Sequence, residues 1–156
     1  MCGIYGVLKL AGDLEPEKLG LPNSTGILKH RGPDDFGHFL DSYVYLGHRR
    51  LSIIDLDTGC PPVFSEDRSK CVIFNGEIYN SQDLREDLEG LGHRFSTRSD
   101  TEVIVHAYEE WGNSCVEKFR GMFAFALWDS KNRKLFLARD RLGIKPLFYG
   151  ILGDAS

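Results

Sequence analysis

Cys2 directly follows the initiator methionine in the opening stretch "MCGIYGV". Removal of Met1 would leave a thiol and a free α-amine on one residue. An α-amine has an unperturbed pKa of about 7.7–8.0, so a useful fraction is neutral near pH 7 and can take the thiol proton directly or through a water. Nucleophile and general base then come as a unit, with no histidine needed. Retained Met1 would block that amine. The alternative use of such a residue is a small buried thiol in a first strand.

Three other stretches carry groups that would complement such a nucleophile. "FNGEIYN" (residues 74–80) places the Asn75 side-chain amide beside the unhindered backbone N–H of Gly76, two donors suited to a developing oxyanion. Asn-Gly is also the signature of a tight turn. "LGHRRLSIID" (46–55) has adjacent arginines between apolar segments. Strand neighbours point to opposite faces, so at most one of Arg49 and Arg50 can enter a given pocket and grip a carboxylate through two parallel hydrogen bonds. A solvated or ion-paired couple is the other use of such arginines. "TRSDTE" (97–102) puts Asp100 at a helix start, where it can receive an ammonium group or complement the helix dipole. Together these groups describe an α-amino acid substrate whose side-chain carbonyl is attacked, as in glutamine or asparagine. "RGPDD" and "ARDRLGIKPL" read as charged turns or loop supports, where Arg139 and Lys145 could serve a ligand, a solvated or structural role being the commoner use.

Composition narrows the field. The chain has 156 residues, 42% of them hydrophobic, which suits one domain with a sizeable core. Its 19 basic and 23 acidic residues are well mixed and leave a net charge of −4, so a nucleic-acid partner is not expected. No apolar run approaches the roughly 20 residues of a membrane span, and no secretory leader pattern opens the chain. The four cysteines (Cys2, Cys60, Cys71 and Cys115) are widely spaced and form no Cys-x-x-Cys pair. Reduced thiols in a cytoplasmic protein fit that spacing, and no metal site is expected.

The elements that must hold these groups can be read from periodicity. "GIYGVLK" reads as a first strand, and residues 15–30, broken by Pro and Gly, as one or two short helical pieces. Residues 36–55 read as several short strands punctuated at Gly47, and "KCVIFNG" as an apolar strand ending in a turn. Leu84, Leu88 and Leu91 recur at helical spacing, as do Val103, Ile104, Ala107, Tyr108 and Trp111. Ser99 and Glu102 form a capping-box pattern before the second of these helices, and "SCVE" repeats it at Ser114. "GMFAFALWD" is apolar on both parities, as a strand buried on both faces must be, and "DSKN" turns it into the partner strand "KLFLARD". Stacked α and β layers follow. Neither a dinucleotide fingerprint nor a phosphate-binding P-loop is present in the sequence.

"MCGIYGV", "KHRGPD", "LGHRRLSIIDL", "FNGEIYN", "TRSDTEVI", "GMFAFALWD" and "ARDRLGIKPLFY" occur in this order and together resemble the glutaminase domain of glutamine-dependent asparagine synthetases. These are class II glutamine amidotransferases of the N-terminal-nucleophile hydrolase type. The resemblance implies an α+β fold, a four-layer αββα sandwich of two mainly antiparallel sheets. It implies Cys2 as nucleophile after Met1 removal, with Asn75 and Gly76 as the oxyanion hole. Arg50, Ile53, Glu77 and Asp100 are the implied substrate-binding residues, Arg50 at the α-carboxylate and Asp100, helped by Glu77, at the α-amine. The implied reaction is hydrolysis of L-glutamine to glutamate and ammonia through a thioester. A synthetase domain or subunit would accept the ammonia and make asparagine from aspartate. No cofactor is expected in this domain, since ATP and Mg belong to the synthetase domain. Residues 1–156 are expected to form one amidotransferase domain, truncated at its C-terminal end. The alternative is a non-catalytic module that binds glutamine or a partner protein. No membrane partner is expected, and oligomerisation is left open. One departure from the family is Pro61-Pro62, where Gln-Pro is usual; it bears on loop shape and not on the catalytic set.

Overall fold

Strands of two kinds build two antiparallel sheets. The computed structural model describes residues 2–17, 19–51 and 62–151, without the side chains of 22, 23 and 25. In the first sheet, β1 (Gly3–Leu8), β2 (Asp35–Leu40) and β3 (Val44–Arg50) lie in the order β1-β3-β2. Its outer strand β2 alternates half-buried and exposed residues, as an edge with one solvated face should. The second sheet has the order β4-β5-β6-β7, formed by Val63–Phe64, Lys70–Ile78, Gly121–Asp129 and Lys134–Arg139. Its central β6 is buried on both faces from Phe123 to Asp129, which accounts for the unbroken apolar run.

Four layers result. Helix α1 (Leu21–Ile27) covers the outer face of the first sheet, where Leu21 packs with Leu14 and Tyr45. Between the sheets lie Val44 and Leu46 from β3, Cys71 and Ile73 from β5, and Ala126 and Trp128 from β6. Helices α2 (Ser81–Gly90) and α3 (Asp100–Trp111) cover the outer face of the second sheet, with short α4 (Cys115–Lys118) beyond them. Leu84 and Leu88 of α2 bury fully here, each worth about 1.5–3 kcal/mol relative to exposure.

Several expectations are corrected. Gly47 does not punctuate the strands; it sits inside β3, opposite Tyr5 on one side and His38 on the other. Those two rings pack on Tyr45 at 6.4 and 5.7 Å. Leu91 is not on the buried stripe; it lies just past the end of α2 and is 56% exposed. The capping box forms only in part. Ser99 accepts the Thr101 N–H, but Glu102 instead accepts from the backbone and hydroxyls of both Ser96 and Thr97. That loop offers four donors to a carboxylate against the single N–H of an N-cap, so the loop wins. At Ser114 the pattern forms no side-chain cap bond at all.

Candidate active site

Antiparallel pairing of β1 with β3 sets Gly3 against Arg49, so Cys2 and Arg50 come together one step further along. The Cys2 Sγ lies 3.9 Å from the Leu51 carbonyl oxygen, a weak thiol contact with the residue after Arg50. The two arginines part as strand alternation requires. Arg49 turns outward, its guanidinium 4.6 Å from the centre of the Phe36 ring. Arg50 shares the parity of Val44 and Leu46, whose side chains fill the space between the sheets. The "RGPDD" loop holds this strand end. A Cβ on Gly32 would sit 2.5 Å from the Arg49 carbonyl carbon and 2.7 Å from the Arg50 nitrogen, so only glycine allows the approach. Asp34 then donates its N–H to the Arg50 carbonyl at 3.2 Å.

Asn75 and Gly76 do not form a turn. They lie inside β5, paired with Ala124 and Phe123, and the strand runs on to Ile78. The glycine answers to the neighbouring strand: a Cβ there would stand 2.6 Å from the Phe123 Cα. Phe123 directs both backbone groups toward Asp140, its N–H to Asp140 Oδ2 at 3.1 Å and its carbonyl to the Asp140 N–H at 2.8 Å. Phe123 and Gly76 are therefore a non-hydrogen-bonded pair, and the Gly76 N–H points away from β6. Ile78 points the same way, and its N–H is accepted by Asp100 Oδ2 at 3.0 Å. β4 pairs only with Cys71 and Val72, so among the described residues no strand covers the Gly76 N–H.

Asn75 and Glu77 share the parity of Cys71 and Ile73 and so face the first sheet. Asn75 is only 5% exposed, yet its amide has no hydrogen-bond partner among the described residues. Asp100 is half-buried at the start of α3, where Ser99 already serves as the N-cap. Burial raises the Asp100 pKa, the Ile78 N–H opposes that, and the nearby Glu77 charge raises it further. Two carboxylates side by side in a partly desolvated place suit a cation between them.

Sheet packing brings the two halves to the same end. Trp128 Nε1 donates to Asp41 Oδ2 at 2.6 Å, tying the β2–β3 turn to the stretch of β6 that pairs with Cys71. Asn75 and Glu77 lie further along β5 from Cys71, and Cys2 and Arg50 lie at the end of β1 and β3 opposite that turn. β5 packs on both β1 and β3, so these residues share one end of the sandwich. Ile53 lies outside the described residues.

Two contributors escaped the sequence reading. His48 is 4% exposed, on the same face as Arg50, and neither ring nitrogen has a partner among the described residues. Burial, helped by Arg50 and opposed by Asp35, pushes its pKa down to about 4, so the ring is neutral at pH 7. Asp140 is buried and accepts the N–H groups of Phe123, Ile144 and Lys145. It anchors the "ARDRLGIKPL" loop to β6 directly behind Gly76, confirming that stretch as a loop support. An aspartate in a loop of mixed charge carries no sequence signal for this task.

The chain matches the model of the glutamine amidotransferase domain family over residues 1–155. The chain belongs to the glutamine amidotransferase domain family. Among similar proteins, "Asparagine synthetase [glutamine-hydrolyzing] 3" of Bacillus subtilis (strain 168) is 44% identical over 151 residues, 96% of this chain and 25% of the relative. "Asparagine synthetase [glutamine-hydrolyzing]" of Brassica oleracea is 42% identical over 156 residues, covering 100% of this chain and 26% of that protein. This amidotransferase domain thus spans about a quarter of the length of these curated relatives. Among solved structures, glutamine phosphoribosylpyrophosphate amidotransferase from B. subtilis, complexed with ADP and GMP, matches with a TM-score of 0.61 at 25% identity. The match covers 74% of this chain and 27% of that one. The α+β sandwich of two antiparallel sheets expected for an N-terminal-nucleophile hydrolase is the architecture observed.

Proposed function

We propose that this glutamine amidotransferase domain hydrolyses L-glutamine to glutamate and ammonia through a thioester on Cys2. With Met1 removed, the Cys2 α-amine takes the thiol proton and the thiolate attacks the side-chain amide carbon. The tetrahedral oxyanion is met by the Asn75 amide and the Gly76 N–H. The amine returns its proton to the leaving nitrogen, ammonia departs and the thioester remains. Water, deprotonated by the same amine, attacks the thioester; glutamate leaves and the thiol is restored. Arg50 binds the glutamine α-carboxylate, Asp100 with Glu77 receives the α-ammonium, and Ile53 is kept as a substrate-binding residue on the strength of the resemblance alone. These steps call on no cofactor.

The observation that carries this reading is the pair of unclaimed donors among the described residues, the Asn75 amide and the uncovered Gly76 N–H, on the strand whose Ile78 N–H, two residues on, is held by Asp100. The ammonia acceptor is a synthetase domain or subunit that uses ATP and magnesium to make asparagine from aspartate in the cytoplasm. Support for that acceptor comes from the relatives, which are named as glutamine-hydrolysing asparagine synthetases. The test is glutamate release by the wild type and by Cys2→Ala. Turnover is expected to vanish in the variant while glutamine still binds in calorimetry. Near-wild-type turnover in Cys2→Ala would reject the nucleophile, and no turnover in the wild type freed of Met1 would favour a binding module.

A further inference from the structure

On the helix side of the second sheet, a second group of side chains converges. His93, in the segment between α2 and α3, presents Nδ1 to Nδ1 of His106 at 3.2 Å. Glu109, one turn further along α3, brings Oε2 to 3.3 Å from the same His106 Nδ1. The three ligand-type atoms all lie within 4.8 Å of one another. Sequence spacing gives no hint of this, because only His106 and Glu109 are helix neighbours and packing of the loop supplies His93.

From this convergence we infer that His93 Nδ1, His106 Nδ1 and Glu109 form a three-ligand site for Zn2+, with water in the fourth position. Two observations carry it. First, bond lengths of about 2.0–2.1 Å around tetrahedral zinc require ligand–ligand edges of about 3.3–3.4 Å. The two contacts to His106 Nδ1, at 3.2 and 3.3 Å, have that length. Second, the outer atom of every ligand faces an oppositely charged partner. His93 Nε2 lies 3.2 Å from Glu110 Oε2, His106 Nε2 lies 3.7 Å from Glu102 Oε1, and Glu109 Oε1 lies 3.2 Å from Lys70 Nζ. Carboxylates on the far nitrogen of both histidines are the outer shell that fixes tautomer and ring orientation at zinc sites.

Zinc here would fasten the segment after α2 onto α3. It would also fix Glu102, which holds Ser96 and Thr97, and Thr97 in turn accepts the Ser99 N–H at the N-cap of α3. The inference is independent of the glutamine chemistry, which uses none of these residues.

The experiment titrates chelator-treated protein with Zn2+ against a chromogenic chelator, and with Co2+ as a spectroscopic probe. One tight Zn2+ per chain is expected, with the intense Co2+ d–d bands of four-coordination and no thiolate charge-transfer band. His93→Ala and Glu109→Gln should abolish tight binding. Glu110→Gln should weaken it about 10–100-fold, as loss of an outer partner does. Circular dichroism checks that each variant is folded; His93 and Glu110 are not in the core, so their variants serve if Glu109→Gln fails. Zinc affinity unchanged in folded His93→Ala, a Co2+ thiolate band, or no tight zinc in the wild type would each overturn the site.

Discussion

Replacing Asp100 with Asn should move stability and substrate binding in opposite directions. Asp100 Oδ2 accepts the Ile78 N–H, a bond that an asparagine oxygen can keep. Only the charge is lost. In the unliganded domain that charge is a burden, because burial and Glu77 raise the Asp100 pKa. A carboxyl whose folded pKa exceeds its unfolded value loses stability as pH rises from the unfolded value through the folded one. Asp100→Asn removes that loss, so at pH 7 the glutamine-free variant should melt no lower than the wild type, and higher if anything. Glutamine binding should suffer instead. Removing one partner of a buried, hydrogen-bonded charge pair costs about 2–5 kcal/mol. That corresponds to roughly 30- to several-thousand-fold in KM or Kd. The assay is glutamate release across a glutamine series, with thermal melts of the same samples without glutamine. A lower Tm with an unchanged KM would refute the reasoning, because Asp100 would then be a structural cap and not an ammonium site.

Gly76→Ala would force a Cβ against the Phe123 backbone, which cannot yield as a side-chain tip can. A cost of about 1–3 kcal/mol is expected, lowering Tm by roughly 2–4 °C per kcal/mol in a chain of this size; an unchanged Tm would contradict the close approach. His48→Leu should flatten the acid limb of stability. The folded pKa of about 4 lies below the ordinary histidine value of 6.5, so His48 costs the fold stability progressively as pH falls through that window. The full cost is on the order of 3 kcal/mol. Urea midpoints between pH 7 and pH 4 check this, and equal acid sensitivity in both proteins would reject it.

Much of this architecture is visible in one sequence because burial writes a period. The run 122–127 is apolar on both parities because β6 is sandwiched, and β2 alternates because it is an edge. The seven ordered motifs contain Cys2, Arg50, Asn75 and Glu77, which the fold brings to one end of the sandwich. Sequence signals failed where one residue type has two physical uses. Asn75-Gly76 looks like a turn from composition, but the glycine is there because β6 presses on β5. Gly47 looks like a break, but it is paired on both sides inside β3, with Tyr5 and His38. Glu102 looks like a capping-box partner, yet the loop just before the helix offers it more donors. His48 and His93 were unreadable for a related reason, since their significance comes from residues that only tertiary packing brings beside them.

The central claim is that Cys2, freed of Met1, attacks a glutamine side chain held beside Asn75, Gly76 and Asp100. The most direct measurement is covalent labelling with a diazoketone analogue of glutamine, read by intact mass and peptide mapping. The account predicts a single adduct on a peptide that begins at Cys2, with labelling slowed by competing glutamine and absent in Cys2→Ala. An adduct on Cys71, Cys115 or another residue, or no adduct on protein shown to lack Met1, would contradict it.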